Sequence, residues 1–377
     1  MVRSVSSERP SVNYHKSLHS SLNHQRSLLL FYSAIKSEKT KKQYESYLDE
    51  FRRYFIIKDY DKLSQIDTKK LQQMIEDFLM YEKTQNKSKS LIAGKLSSLK
   101  LFFSMNDVVL NWDKLRKMLP DRIKTTGDVP YSTEQIQTLL KSTSNLEYRA
   151  LINFLSASGV RVGCIKELRI KDLKVMPNGC KSVKVYSDTI EEYHTFIHHE
   201  AVESIKEYLE SRKQKGEEIT DESWVFCSPQ NTSKSLPADT ITSTLGRYVK
   251  KSLGREKSKS GRYSIMSCHG FRKRFNTVLK SNREINLSLA ERLMGHSQKI
   301  PLDNSYFKPM LEQLFIEYQK AIPELIIDEK YKLESTIQKQ QDEIDLLHEK
   351  ERQVAQLQKT ILQIQNNMLE LQKRVNF

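Results

Sequence analysis

Two arginines, two histidines and a tyrosine stand out by type and by order along the chain. Arg161 follows a small-residue turn in Ala157-Ser158-Gly159-Val160-Arg161-Val162-Gly163. His269 and Arg272 share His269-Gly270-Phe271-Arg272, His296 closes Leu293-Met294-Gly295-His296, and Tyr306 follows ten residues later. A phosphodiester under attack by an oxygen nucleophile develops charge on its two non-bridging oxygens. Two guanidiniums can hold those oxygens with fork-like, charge-assisted bonds that need no metal. His269, on one helical face with Arg272, can donate to the phosphate or accept a proton, and His296 can brace the opposite side. A phenol with an unperturbed pKa near 10 attacks at neutral pH only beside cations or a base.

These side chains must be brought together by elements far apart in sequence. Residues 1–22 are rich in Ser with interspersed basic residues and have no apolar period, as in a mobile tail. Leu28–Ile35 reads as a short apolar helix. A second helix follows Ser37, with Tyr44, Tyr47, Leu48, Phe51, Tyr54 and Phe55 on one face. Asp67 is placed to cap a third, bearing Leu71, Met74, Ile75, Phe78 and Leu79, and a fourth carries Leu91, Ile92, Leu96, Leu99, Phe102 and Phe103. Residues 23–120 are therefore expected to form a helical bundle. The segment 121–130, with Gly127 and Pro130 among polar residues, is the candidate linker.

Beyond the linker the pattern is mixed. Ser132-Thr133-Glu134 opens a helix, Tyr148–Ala157 is strongly apolar, and Ser182–Ser187 with Tyr193–His198 alternates as a two- or three-stranded hairpin unit. Helices then continue to about Ile327. From residue 328 the spacing changes to alternating threes and fours, through Leu333, Ile337, Ile344, Leu347, Val354, Leu357, Ile361, Ile364, Met368, Leu371 and Val375, with one phase slip near Lys350. That is a coiled-coil pattern, and Gln340 falls at a core position.

The chain has 377 residues, and its 62 Lys and Arg against 47 Asp and Glu leave a net charge of +15, which suits an anionic partner. No stretch approaches the ~18 apolar residues that cross a bilayer, and no signal-peptide core precedes a cleavage site, so a cytoplasmic protein is expected. Cys164, Cys180, Cys227 and Cys268 are scattered singly, so neither a structural metal nor a disulfide is expected. With no GxGxxG or GxxxxGK[ST] loop, nothing in the sequence cradles a nucleotide phosphate.

In order and spacing, Arg161, His269-x-x-Arg272, Gly295-His296 and Tyr306 resemble the tyrosine recombinases, the phage integrase-type DNA strand-exchange enzymes. The preceding helical segment is similar to their core-binding domain, and the ASGVRVG turn and EEYHTFI strand are most similar to archaeal integrases. The resemblance spans about residues 25–325. Each motif alone is common on solvated helices; the order of all four segments gives them weight. The implied fold is mostly α with a small β-sheet (α+β). It comprises an N-terminal helical SAM-like core-binding domain at 23–120 and a mixed catalytic domain of the DNA breaking-rejoining type at 131–327. A C-terminal coiled coil at 328–377 would follow them.

The implied activity is site-specific recombination or integration, as in mobile elements, on double-stranded DNA recombination sites. Arg161, His269, Arg272 and His296 would serve the phosphate, and Tyr306 would be the nucleophile. A 3′-phosphotyrosine stores the energy of the broken bond, so no ATP or other cofactor is implied. The partners would be DNA and further copies of the chain, as a tetramer on DNA in the nucleoid, with no membrane. The family places a general-acid lysine in the turn between its second and third strands. Here that turn reads Ser187-Asp188-Thr189-Ile190-Glu191-Glu192, with Ile190 at the lysine position. Lys184 on the preceding strand is the nearest substitute, followed by His194. Two other readings stand beside this one: type IB topoisomerase-like relaxation, and an integrase-derived DNA-binding protein, which the missing lysine favours.

Basic residues cluster in Arg247–Arg262, with seven Lys and Arg against one Glu. Lys250, Lys251, Lys257 and Lys259 there are expected to contact phosphates. Lys39, Lys41, Lys42, Lys87, Lys89 and Lys95 on the helical bundle would form an opposite jaw.

Overall fold

Helices dominate the residues described by the computed structural model, which are 26–121, 129–254, 263–296 and 309–375, with only the backbone described at 338, 339, 342, 366 and 369–375. The expected tail at 1–22 and most of the expected linker lie outside them. The chain divides into two compact units, Met1–Lys124 and Thr125–Phe377.

The first unit contains α1 (Arg26–Ser33), α2 (Glu38–Tyr54), α3 (Tyr60–Ser64), α4 (Thr68–Thr84), α5 (Lys89–Met105) and α6 (Trp112–Lys117). Short polar side chains start these helices by accepting otherwise orphaned backbone N–H groups. Ser37 accepts from the Thr40 amide, Asp67 from those of Lys69 and Lys70, and Ser88 from that of Leu91. The apolar faces meet around Phe31, Leu48, Phe51, Phe78 and Phe102, all essentially fully buried. Phe51 and Phe78 pack edge to face at 5.2 Å. Each such buried side chain contributes about 1.5–3 kcal/mol.

One basic residue is drawn into this core. Lys95 is only 2% exposed, and its ammonium lies 2.7 Å from both the Glu82 and the Glu50 carboxylates. The expectation that Lys95 belongs to a DNA-facing jaw is therefore corrected: its charge is spent inside the bundle. Although burial works against the charge, the hydrogen bonds that Lys95 donates to Glu50 and Glu82 hold its pKa above the ordinary value.

The second unit begins with α7 (Thr133–Lys141) and the apolar α8 (Leu146–Ser158), followed by 3-10 turns at Val162–Glu167 and Ile170–Asp172. Three strands, β1 (Leu173–Val175), β2 (Lys181–Val185) and β3 (Tyr193–Ile197), form an antiparallel sheet in that order, with Val183 opposite both Leu173 and Thr195. The hairpin unit is thus three-stranded. Next come α9 (His199–Gln214), the two-stranded sheet of β4 (Cys227–Ser228) and β5 (Asn231–Ser235), and α10 (Ala238–Leu253). The chain ends with α11 (Ser267–Ser281), α12 (Leu287–Leu293), α13 (Leu311–Leu325) and α14 (Glu329–Val375).

Two apolar clusters fill this unit, one around Phe154, Phe226 and Phe271, the other around Phe196, Phe275, Leu293 and Tyr318. Helix α11 feeds both, through Phe271 in the first and Phe275 one turn further along the same face in the second. The link from α13 to α14 is clamped to the same unit. Glu200 accepts from the amides of Ile327 (2.9 Å) and Asp328 (3.0 Å), Gln137 donates to the Ile327 carbonyl, and Arg274 donates to that of Glu324. No helix among the described residues is long and apolar enough to cross a membrane, and they contain no cluster of metal-ligating side chains.

Candidate active site

Positioning begins where α8 ends. Gly159 takes the left-handed conformation (φ +59°), and a Cβ there would lie 2.3 Å from the Phe275 ring, so a residue with a side chain fits neither the backbone nor the space. The turn releases the chain into the 3-10 segment, with Arg161 at its start. A second glycine does the same after α12. Gly295 (φ +59°) would drive a Cβ to 2.4 Å from the Tyr193 ring, and it presents the Met294 and Gly295 carbonyls followed by His296. Gly270, within α11, packs against Tyr131, whose hydroxyl donates to the Ser267 carbonyl at 3.0 Å and fixes the start of the helix carrying His269 and Arg272.

These turns converge on two guanidiniums. Arg272 donates from Nη1 to the Gly159 carbonyl at 2.7 Å and from Nη2 to the Met294 carbonyl at 2.5 Å, tying the end of α8 to the end of α12. Arg161 donates to the Gly295 carbonyl at 3.2 Å. Arg272 is 6% exposed, whereas Arg161 is exposed to solvent. Burial, and then the charge of Arg161, push the Arg272 guanidinium below its ordinary pKa. Among the described residues, no carboxylate forms an ion pair with either arginine. A guanidinium has five N–H donors, of which the carbonyls take two from Arg272 and one from Arg161. Two like charges, oriented by neutral carbonyls and with no carboxylate partner among the described residues, make a site for an external anion with two oxygens.

His296 stands beside this pair. Its Nδ1 lies 2.5 Å from Glu291 Oε2, and Glu291 also pairs with Lys280. Despite the upward push of burial, the hydrogen bonds from Lys280 and His296 hold the Glu291 carboxyl below its ordinary pKa. The Nδ1 contact with the carboxylate orients the ring and makes Nε2 the nitrogen that Glu291 does not engage. His269 is exposed on α11, one turn before Arg272.

Tyr306, Lys257 and Lys259 lie outside the described residues. Lys184, on β2 opposite His194, places its ammonium 3.0 Å from Glu192 and 3.4 Å from Asp188. The Glu192 hydrogen bond raises its pKa. Ile190, at the turn position, is fully exposed. The His194 ring is half-buried, and burial lowers its pKa. Lys39, Lys42, Lys87, Lys89, Lys250 and Lys251 are exposed, and Lys41 lies 4.3 Å from the centre of the Tyr32 ring. Cys164, near the arginines, is a neutral buried thiol whose pKa burial pushes up to about 12.

Sequence reasoning missed Glu291 and Tyr193. The signal for Glu291 was its place five residues before His296, across a helix end. Tyr193, within the EEYHTFI strand, carries no catalytic signal of its own; its ring packs against Gly295, and burial raises its phenol pKa against the pull of Arg272 and Arg161.

Residues 131–309 match the Phage integrase family. The fold is shared with the Tn1549 transposon integrase (aa 82–397) in complex with circular intermediate DNA, at a TM-score of 0.53 and 17% identity over 78% of this chain and 99% of that one. A lambda integrase tetramer bound to a Holliday junction gives 0.53 and 19% over 78% and 80%. The XerH site-specific recombinase bound to palindromic difH substrate gives 0.51 and 18% over 70% and 78%. At these identities the likeness is one of fold. No curated protein matches the chain.

Proposed function

We propose that this chain, with a phage integrase family domain at 131–309 as premise, is a site-specific DNA recombinase or integrase that cuts and rejoins strands through Tyr306. The observation that carries this reading is the Arg161–Arg272 pair, one member buried, both held by backbone carbonyls, and neither paired with a carboxylate among the described residues. Such a pair stabilises the charge that grows on the non-bridging oxygens of a phosphodiester. The Tyr306 oxygen attacks phosphorus and forms the phosphotyrosine bond, its proton passing to a base, a role this reading gives to His269. The bond to the 5′-oxygen breaks, and that oxygen takes a proton from a general acid. In the reverse sense, the 5′-hydroxyl of another strand attacks the phosphotyrosine and restores the phosphodiester. The number of high-energy bonds is unchanged, so no nucleotide is consumed. Exposed Lys250 and Lys251 add sequence-independent contacts to the backbone, and four copies on two DNA sites form the active assembly.

The general acid is Lys184 in this reading, with Glu192 as its resting partner. A second reading, an integrase-derived DNA-binding protein without strand exchange, is favoured by Ile190 at the turn. The test uses two duplexes taken from the DNA flanking the gene, one of them labelled. Transfer of label into the second duplex supports recombination. Relaxation of a supercoiled circle without transfer places the protein with type IB topoisomerases, and binding with neither outcome supports the second reading.

A further inference from the structure

We propose that α14 pairs with α14 of a second copy as a parallel, in-register, two-stranded coiled coil. Its apolar row lies bare along the helix: Leu333, Ile337, Ile344, Leu347, Leu357 and Ile361 are each between 45% and 65% exposed. An isolated helix with such a stripe is marginal in water, so the stripe is built to be covered. From Leu333 to Met368 the helix rises about 50 Å, and a stripe about 12 Å wide offers on the order of 600 Å² per helix. Two copies together reach the ~1,200 Å² at which stable interfaces begin.

The heptad positions identify the occupant. Ile337, Ile344, Val354 and Ile361 fall at a and Leu333, Leu347 and Leu357 at d, with Ile364 at d and Met368 at a departing from the pattern; β-branched a with leucine d, which most layers carry, favours two parallel strands. The flanking e and g positions are mostly uncharged, including Thr336, Gln341, Gln353, Gln358, Thr360 and Gln365, so like charges do not oppose pairing of identical helices.

Two irregularities fix the direction. Ile344 and Val354, both a positions, are ten residues apart, which inserts three residues into the heptad. Gln340 is a polar residue at d. In a parallel, in-register pair each irregularity meets its own copy: slip lies beside slip, and the two Gln340 amides hydrogen-bond to each other. An antiparallel pair aligned on the slip puts Gln340 opposite Ile361, leaving a buried amide against an alkyl chain at a cost of about 1–3 kcal/mol. The Glu200 clamp on Ile327 and Asp328 anchors the start of α14 to its own unit, so the pair joins two whole protomers at matching ends. This inference does not depend on the DNA chemistry proposed above.

The full chain with Gln340→Cys, mildly oxidised, is expected to become a covalent dimer, whereas the wild type, with its four native cysteines, is not. Full chain with Leu357→Lys and Ile361→Lys is expected to show half or less of the wild-type mass by light scattering, with an unchanged melting temperature for the rest of the protein. Three results overturn the proposal: a monomeric wild type at tens of micromolar, no cross-link in Gln340→Cys, or a cross-link formed only when Gln340→Cys chains are mixed with Ile361→Cys chains.

Discussion

The guanidinium of Arg161 donates to the carbonyl of Gly295 at 3.2 Å, joining the turn after α8 to the turn after α12 across 134 residues of chain. Arg272 makes the same connection from beneath, through Gly159 and Met294. The two arginines share a task but not an environment, and substitution separates them. Arg161→Ala and Arg272→Ala should each slow DNA cleavage by on the order of 10²–10³-fold, the usual loss for one preorganised donor. Only Arg272→Ala should also lower the melting temperature, because it leaves two inward-facing carbonyls without a donor. Cleavage at the wild-type rate in either variant would remove that arginine from the phosphate site.

Lys184 can be tested by changing the leaving group. A 5′-sulfur departs as a thiolate, with a pKa near 8.5 in the ordinary case, and needs little protonation. Lys184→Ala should therefore cleave ordinary DNA slowly and a 5′-phosphorothiolate substrate at close to the wild-type rate. Equal defects on both substrates would mean that Lys184 is not the general acid.

Lys95 and the exposed lysines predict opposite outcomes. Lys95→Met leaves Glu82, 1% exposed, without its cation and should destabilise the first unit by about 3–5 kcal/mol in denaturant unfolding. The salt dependence of DNA affinity should not change. Lys250→Ala with Lys251→Ala should flatten the slope of log affinity against log salt by up to ~0.9 for each phosphate that is no longer neutralised, at unchanged stability. The reverse pattern would restore Lys95 to the DNA surface.

Much of the first unit was legible because capping residues and 3.6-residue periods are local signals: Ser37, Asp67 and Ser88 each start the helix expected near them. The short α3 and α6 carry too few residues to show a period. Lys95 was misread because its partners, Glu50 and Glu82, come from two other helices, and no spacing within α5 announces them. At the site, residue types marked Arg161, Arg272 and His296, but a one-dimensional pattern cannot reveal which arginine is buried. Nor could it show that Glu291 turns the His296 ring or that Gly159 and Gly295 are needed at positive φ. Those facts depend on the Phe275 and Tyr193 rings, which come from other elements.

Glu147 provides a pH test of the second unit. It is 5% exposed, accepts from the Tyr208 hydroxyl at 3.4 Å, and burial pushes its pKa up to about 7. The folded state thus keeps a proton that the unfolded chain releases near pH 4.5, so this group's contribution is full below pH 4.5 and is lost as pH rises to about 7. Glu147→Gln, which is never charged, should exceed the wild type in stability by up to about 3 kcal/mol above pH 7, at ~1.36 kcal/mol per pKa unit. The difference should vanish toward pH 4.5. A constant difference across that range would show that the carboxyl titrates normally.

The central claim is that Tyr306 becomes joined to DNA. Tyr318 cannot substitute for it, being fully buried with its hydroxyl donated to the Ala157 carbonyl at 3.0 Å. The most direct measurement incubates the full chain with nicked duplexes from the DNA flanking its gene, digests the trapped product, and locates the nucleotide-bearing residue by mass spectrometry. The account predicts a 3′-phosphate ester on Tyr306 alone, absent from Tyr306→Phe, which should bind the same duplex with nearly unchanged affinity. A nucleotide on any other residue, or an adduct that survives in Tyr306→Phe, would contradict it.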